Sequence, residues 1–563
     1  KDGSDSASAN SASAIVGSAT ATETDTVADN PSVARSTAIM SMATMASRIT
    51  GFIRTWAMAF ALGNTLLASA YSVANTMPNQ VFELIAGGVL SSVFLPVYMN
   101  RRAKGGKRAA DGYASNLLSI GLIVLGVITI LATIFAPQVV FTQTFLTQGV
   151  DAEQATFFFR FFAIQILFYG VGGLFNSLLN AHREFLWPAL GPIFNNIIVI
   201  ATMFSYPIMN RTNPELAMII LALGTTLGVV AMFVIQVPAL IRTRVKLRFR
   251  INLRDPALKE SLKLVIPVTI FIVVNLVVVS VQNALAFRIT PSGPATIQQY
   301  AFLWYMLPYG VIAVALSTAL FTEMSQASAA QNWGKLRDNV RMGLRTTLFA
   351  IIPLAVTILV LSKQLAGLYH AGEFTADDVL IVANVLSAWC LALPFFATYR
   401  FIYRVFSSLR DLKAFIVIDL IGRLVQIGLS LSLSLGIGSW KGLGLIGIPL
   451  ADAIAYILLT SGMLLLLYKR IGHFGLTRIV IDGLKIVLAA VLSALVPFIV
   501  IFFGGEDANL AVSLVKVLIG GSFTLTVFFL LCKFFQVPEI SVVESLLGRV
   551  KGLFLRRNGR SGR

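Results

Sequence analysis

The residues best equipped for chemistry in this chain are arginines and a few carboxylates lying inside long apolar runs. Arg48 and Arg54 stand six residues apart in the first run, on either side of Gly51. They do not share one helical stripe, but both can border a cavity if the helix bends near Gly51. Arg400 and Arg404 are four apart, on one face of a helix. Asp419 and Arg423 have the same spacing and can pair with each other. Glu83, Arg160, Arg288 and Asp452 lie in other runs, and Asn79 follows Pro78. A charge near the middle of a bilayer costs a few kcal/mol, so such residues face cavities or partners. A guanidinium presents a planar fork of donors that matches phosphate and carboxylate. Arg48, Arg54, Asn79, Arg288, Arg400 and Arg404 are therefore the candidate ligands for an anion in a basic cavity. For Arg160, Arg288 and Lys363, near the ends of their runs, the competing reading is a side chain reaching the headgroup layer. Pro78, Gly87, Gly88 and Pro308, with Gly51, are candidate hinges, because Pro and Gly loosen helix interiors. Packing contacts between small residues are the alternative.

Bond-making chemistry has no such support. The sequence lacks G-x-x-x-x-G-K-[ST], H-E-x-x-H and G-x-S-x-G, and His182, His370 and His473 are widely separated. Cys390 and Cys532 lie in apolar runs without metal spacing. The expectation is transport with no catalytic residue, no metal site and no cofactor, the coupling ion or membrane potential being left open.

The elements that must position these residues follow from composition. Of 563 residues, 56% are hydrophobic and 12% charged, half the charge of a soluble protein. That excludes an ordinary soluble enzyme and a disordered chain. Apolar runs fall near 36–62, 68–98, 113–137, 155–180, 185–207, 215–241, 263–289, 299–323, 345–368, 377–407, 413–436, 443–468, 484–504 and 511–532. Each can cross a ~30 Å hydrocarbon core as a helix, and ten-residue alternating segments of a barrel are lacking. The predicted fold is all-α, a polytopic membrane protein of about 14 transmembrane helices. The net charge of +18 sits mostly in short loops after the second, sixth, eighth and twelfth runs, while loops 138–154, 290–298, 369–376 and 505–510 carry no Lys or Arg. This is the positive-inside pattern, not a nucleic-acid patch, and it places both termini in the cytoplasm. The nearly uncharged N-terminal tail alone dissents.

The chain also resembles itself. Met77-Pro78 with Leu90-Ser91-Ser92 and Phe94 parallels Leu307-Pro308 with Leu316-Ser317-Thr318 and Phe321, and His182-Arg183-Glu184 parallels Arg410-Asp411, at offsets of 226 to 230 residues. Six runs separate equivalent points, which makes a parallel repeat about an axis along the membrane normal. The expected organisation is a disordered cytoplasmic tail (1–33), a first six-helix lobe (34–242), a basic cytoplasmic loop (243–262), a second, pseudo-symmetric six-helix lobe (263–470), two extra helices (471–535) and a basic amphipathic tail (536–563).

Three stretches resemble the MurJ (MviN) lipid II flippases of the multidrug/oligosaccharidyl-lipid/polysaccharide exporter superfamily. They are Ser47-Arg48-Ile49-Thr50-Gly51-Phe52-Ile53-Arg54; Pro78-Asn79 with Gly87-Gly88, Ser91, Phe94 and Pro96; and Leu179-Asn180-Ala181 with Phe185, Pro188-Ala189, Pro192 and Asn196. Phe406 to Asp411 is a weaker fourth. The resemblance covers residue 36 to about 535. It implies two lobes around a cavity, a lateral gate between helices 1 and 8, and a groove for a polyprenyl tail at helices 13 and 14. It implies lipid II, the undecaprenyl diphosphate-linked disaccharide-pentapeptide, as cargo, with Arg48 and Arg54 on its diphosphate. It further implies translocation from the inner to the outer leaflet of the bacterial plasma membrane for peptidoglycan and cell-wall synthesis. Membrane lipids, and cell-wall synthesis or regulatory proteins, are the implied partners, with no nucleic acid.

The sequence departs from the family pattern. Ser69 stands where an Asp is common, Phe82, Glu83 and Gly87 where two Arg and a Glu are common, and Leu303 where an Arg is common. Gln282 stands near the place of an Asp that some members use for sodium. Arg288, Arg400 or Arg404 are candidates to replace the lost positive charge. The competing readings are an exporter of another lipid-linked oligosaccharide or drug-like substrate of the same superfamily, and a scaffold of the cell-wall machinery. Paired cavity carboxylates would favour a drug exporter; the arginine pair in the first run argues against one.

Overall fold

The computed structural model of the chain describes residues 31–87, 94–146, 151–182, 184–290, 294–409, 411–503 and 510–540. Most of the tail at 1–33, Gly88 and the tail beyond residue 540 lie outside the described residues. In chain order the helices are α1 (Pro31–Leu62), α2 (Leu66–Phe82), α3 (Phe94–Ile134), α4 (Ala136–Thr144), α5 (Asp151–Phe162), α6 (Gln165–Ala181), α7 (Leu186–Asn210), α8 (Pro214–Val234) and α9 (Val237–Arg242). They continue as α10 (Pro256–Ile289), α11 (Pro294–Pro308), α12 (Val314–Ala329), α13 (Trp333–Val360), α14 (Ser362–Gly367), α15 (Ala376–Ser408), α16 (Leu412–Leu435), α17 (Gly447–Ile471), α18 (Leu476–Phe503) and α19 (Leu510–Phe534). No β-strand occurs among the described residues, as a bilayer requires of a non-barrel chain.

Ten of the described helices are long and apolar enough to cross a membrane, and two bent pairs, α5 with α6 at 44° and α11 with α12 at 42°, pass the same test when each pair is taken together. The other two sequence-predicted spans fall on α1 and α2, and α2 is 17 residues long and ends at Phe82, short of the predicted run. The basic segment after the second run, read as a loop, is instead largely helical. Lys, Arg and Ala are good helix formers, so α3 takes in residues 101–108 and breaks only at Gly106, where φ is 70°.

The repeat is visible in the backbone. A π-turn at Glu83–Gly87 follows α2 and another at Tyr309–Ala313 follows α11, 226 residues apart. Helices α7 and α16 begin at Leu186 and Leu412, again 226 apart.

By contacts the chain forms two compact units. The first comprises the described residues up to Thr55, of Val81–Ile130 and of Phe161–Val265. In its core Phe94 stacks on Tyr98 and Tyr113 at ring-centroid distances of 5.5 and 5.7 Å, packed against Leu174, Leu178 and Leu240. The basic loop after α9 is an extended strap docked along α3. The amides of Lys246, Arg248 and Arg250 donate to Asp111 Oδ2, Ser115 Oγ and Ser119 Oγ at 3.1, 3.0 and 2.9 Å. Acceptors four residues apart on a helix rise about 6 Å, and amides two apart on an extended chain span about 6.6 Å, so the two registers match. Asn116 closes the ladder by accepting from the Asn252 amide and donating to its carbonyl.

The second unit comprises Trp56–Gln80 and the described residues of Leu131–Arg160 and from Ile266 onward. Its core gathers Leu344, Phe401, Phe406, Phe415, Leu459 and Phe474 from α13 and α15 to α18. Arg345 of α13 makes ion pairs with Asp482 of α18 at 2.8 Å and with Glu539 beyond α19 at 2.6 Å. These pairs tie the two extra helices to the second repeat.

Candidate functional site

In the first unit α1 is one helix through Gly51, without an interruption there. Gly51 lies against Asn196 of α7, whose amide donates to Thr50 Oγ1 at 3.0 Å and to the Ser47 carbonyl at 3.4 Å. Two of the stretches singled out in the sequence therefore meet, and the contact fixes the rotation of α1. Arg48 is exposed and Arg54 half-buried. Tyr169, which stacks on Phe82 at 6.2 Å, lies within electrostatic reach of Arg54.

The second unit holds Asn79, Arg288, Arg400 and Arg404. Asn79 is half-buried directly after the buried Pro78. Arg288 is exposed in the last turn of α10. Arg400 and Arg404 both face the bent pair α11–α12. The Arg400 guanidinium donates to the Tyr309 hydroxyl at 3.2 Å and lies 5.9 Å from the Phe396 ring, while Arg404 lies 5.6 Å from the Phe321 ring. Tyr309 opens the π-turn that follows Pro308. Such turns leave a helical carbonyl without its usual partner and recur at functional sites.

Beside this group is a cavity of about 490 Å³. Its wall combines Asn275, Gln282, Asn283 and Gln298 with Arg423 and Asp452. The Asp419–Arg423 pair forms, at 3.3 Å, buried within the unit. Arg423 also donates to Gln426 Oε1 at 2.8 Å and lies over the rings of Tyr399 and Tyr456. Gln426 and Gln282 donate to Asp452 Oδ1, each at 2.6 Å, and the Trp389 indole donates to Oδ2 at 2.9 Å.

Polar contacts join α2 and α11 beside the cavity, whose wall includes Ser72 and Gln299. Ser69 Oγ lies 3.2 Å from Thr296 Oγ1, and Ser72 bonds to Gln299. Asn64 bridges to Thr296 and Asp378. The Glu373 amide donates to the Phe60 carbonyl at 3.1 Å, where Gly63 and Gly372, both at positive φ, let two turns approach. A Cβ on either glycine would strike the opposing backbone.

Sequence reasoning named Asp452, Arg423 and Gln282 but not Tyr309, Trp389, Gln426 or Gln299. The available signal was glutamine within apolar runs, which needs a buried polar partner.

The sequence model described as "Lipid II flippase MurJ" matches residues 58–519. A probable lipid II flippase MurJ of Rickettsia prowazekii is 26% identical over 502 residues, covering 84% of this chain and 96% of that relative. Its counterpart in Borreliella burgdorferi is 24% identical over 473 residues, covering 83% and 89%. Among solved structures, a lipid II flippase MurJ in an inward closed conformation aligns with a TM-score of 0.71 at 26% identity, over 88% of this chain and 99% of that one. An inward-facing multidrug MATE transporter aligns with a TM-score of 0.65 at 15% identity, a likeness of fold alone. With the match spanning most of the chain, through both repeats and into the last two helices, this protein belongs to the lipid II flippase MurJ family.

Proposed function

We propose that this chain moves lipid II from the inner to the outer leaflet of the bacterial plasma membrane by alternating access, without covalent chemistry, and so supplies peptidoglycan synthesis. The family match over residues 58–519 carries the reading. The geometry supports it: an amide-rich cavity suits a polar, hydrogen-bonding head group, and hydrogen bonds between α2 and α11 at its wall suit a gate that opens and recloses. Arg48 and Arg54 would engage the diphosphate, and Arg400 is a separate candidate for the charge of the family arginines that the sequence lacks. Both termini would face the cytoplasm, following the loop charges. The drug-exporter alternative is weakened by the cavity wall, where Asp452 is the single carboxylate among the described lining residues.

Complementation of a flippase-depleted bacterium tests this, with externally accessible lipid II as the readout. Wild type should restore exposure, and Arg48→Ala and Arg54→Ala should each abolish it. Rescue by both variants would remove the proposed diphosphate site; failure of well-expressed wild type would remove the cargo.

A further inference from the structure

The Asp452 cluster joins four helices of the second unit: Gln282 comes from α10, Trp389 from α15, Gln426 from α16 and Asp452 from α17. Three neutral donors reach its carboxylate and no guanidinium touches it directly. The nearest cation, Arg423, is engaged by Asp419 and reaches Asp452 only through Gln426. The other titratable groups around it are Tyr305 of α11, Cys390 and Tyr399 of α15 and Tyr456 of α17. Arg400 lies further out, against Tyr309 and Phe396. The cluster thus holds one guanidinium and two carboxylates, a buried net charge of −1 that one proton would cancel. An uncompensated charge inside a bilayer protein is costly, so this arrangement invites protonation.

The hydrogen bonds show how the acid form would be accommodated. The Trp389 indole can only donate. The Gln426 amide is fixed, because its Oε1 accepts from Arg423 and its Nε2 must then face Asp452. Gln282 lines the cavity and, among the described residues, is the one amide of the cluster that no second hydrogen bond orients. Turning it about its terminal bond presents Oε1 instead of Nε2, and Oε1 would accept from a protonated Oδ1. The same cavity wall carries Ser72 and Gln299, which join α2 to α11, so Gln282 shares the cavity with that contact. A metal cation would find fewer ligands: Gln426 Oε1 is occupied by Arg423, and the indole supplies no oxygen.

We propose that Asp452 is a proton-binding site that couples opening of the cavity to the proton gradient, with Gln282 as the turning amide. The coupling role rests on the flippase reading above; the proton site does not.

The purified full chain in phosphatidylethanolamine–phosphatidylglycerol vesicles allows the two to be separated. An infrared titration of the carboxyl stretch, without cargo, should show a protonated-acid band that Asp452→Asn removes. Trp389→Phe takes a donor from the anion and nothing from the acid, so the midpoint should rise by about one pH unit. No band lost in Asp452→Asn, or an unmoved midpoint in Trp389→Phe, overturns the site, and Trp389→Phe decides if Asp452→Asn does not fold. With fluorescent lipid II as probe, an acid-outside gradient at clamped potential should speed wild-type transfer several-fold. In Asp452→Asn the ratio of rates with and without the gradient should fall to one. A retained ratio, or a dependence on sodium at constant pH instead, overturns the coupling. Wild type that titrates but moves no labelled lipid II leaves the site standing and refutes the flippase reading.

Discussion

Ser69 Oγ and Thr296 Oγ1 lie 3.2 Å apart, and the residues are 227 positions apart in the chain, within one of the backbone repeat interval. Ser72 and Gln299 bond at the same separation. Near-equivalent positions of the two repeats therefore touch one another along α2 and α11. The short hydroxyls let the helices come close, and each supplies a partner for the other's buried polar group.

This contact is expected to set how often the gate opens. Ser69→Ala with Thr296→Val removes hydrogen bonds worth about 1 kcal/mol each, or about five-fold in population apiece. A cysteine at Thr76, on the cavity wall, should then react faster with an impermeant thiol reagent applied from outside, since Cys390 and Cys532 are buried. An unchanged rate would show that the gate does not depend on this pair.

Arg400 should matter through its charge and Tyr309 through its hydroxyl. Arg400→Ala is expected to lower lipid II exposure strongly and Arg400→Lys partly, because an ammonium keeps the charge but loses the planar fork. Tyr309→Phe removes one hydrogen bond to a charged group, worth about 1.5–3 kcal/mol, and should slow transfer less than Arg400→Ala. Equal rates in all three variants and wild type would remove Arg400 from the substrate path.

The strap along α3 gives a local test. Ser115→Ala with Ser119→Ala removes the acceptors of the Arg248 and Arg250 amides. Lost partners cost about 1–3 kcal/mol each, so hydrogen exchange at these two amides should quicken by about ten-fold or more. Exchange unaltered at Arg248 and Arg250 would mean that the strap is held by other contacts, with Leu247 packing as the first suspect.

Arg345 is the hub of a buried ion cluster, its partners Asp482 and Glu539 having side chains only 8% and 9% exposed. Arg345→Met would strand two carboxylates and should cost about 3–5 kcal/mol, seen as a lower thermal midpoint in detergent. Adding Asp482→Leu and Glu539→Leu should restore most of that loss, since apolar replacement of a whole buried cluster is often neutral. A triple variant as unstable as Arg345→Met would point to a packing defect instead.

What the sequence determined was set by composition and period. Runs of about twenty apolar residues read as spanning helices, so the all-α architecture was legible, and the repeat interval survived into the paired π-turns and the starts of α7 and α16. The arginines stood out because charge inside an apolar run is expensive. Which partners each polar group would meet was decided only in three dimensions. Nothing in the sequence marks Ser115 and Ser119 as acceptors, yet they receive the backbone of a segment over 130 residues away. Neither Trp389 nor Gln426 stood out in the sequence, although both hold Asp452. Hydrophobic burial has a period and so leaves a trace along the chain; a hydrogen bond between distant helices has none, because its two halves are brought together only by packing.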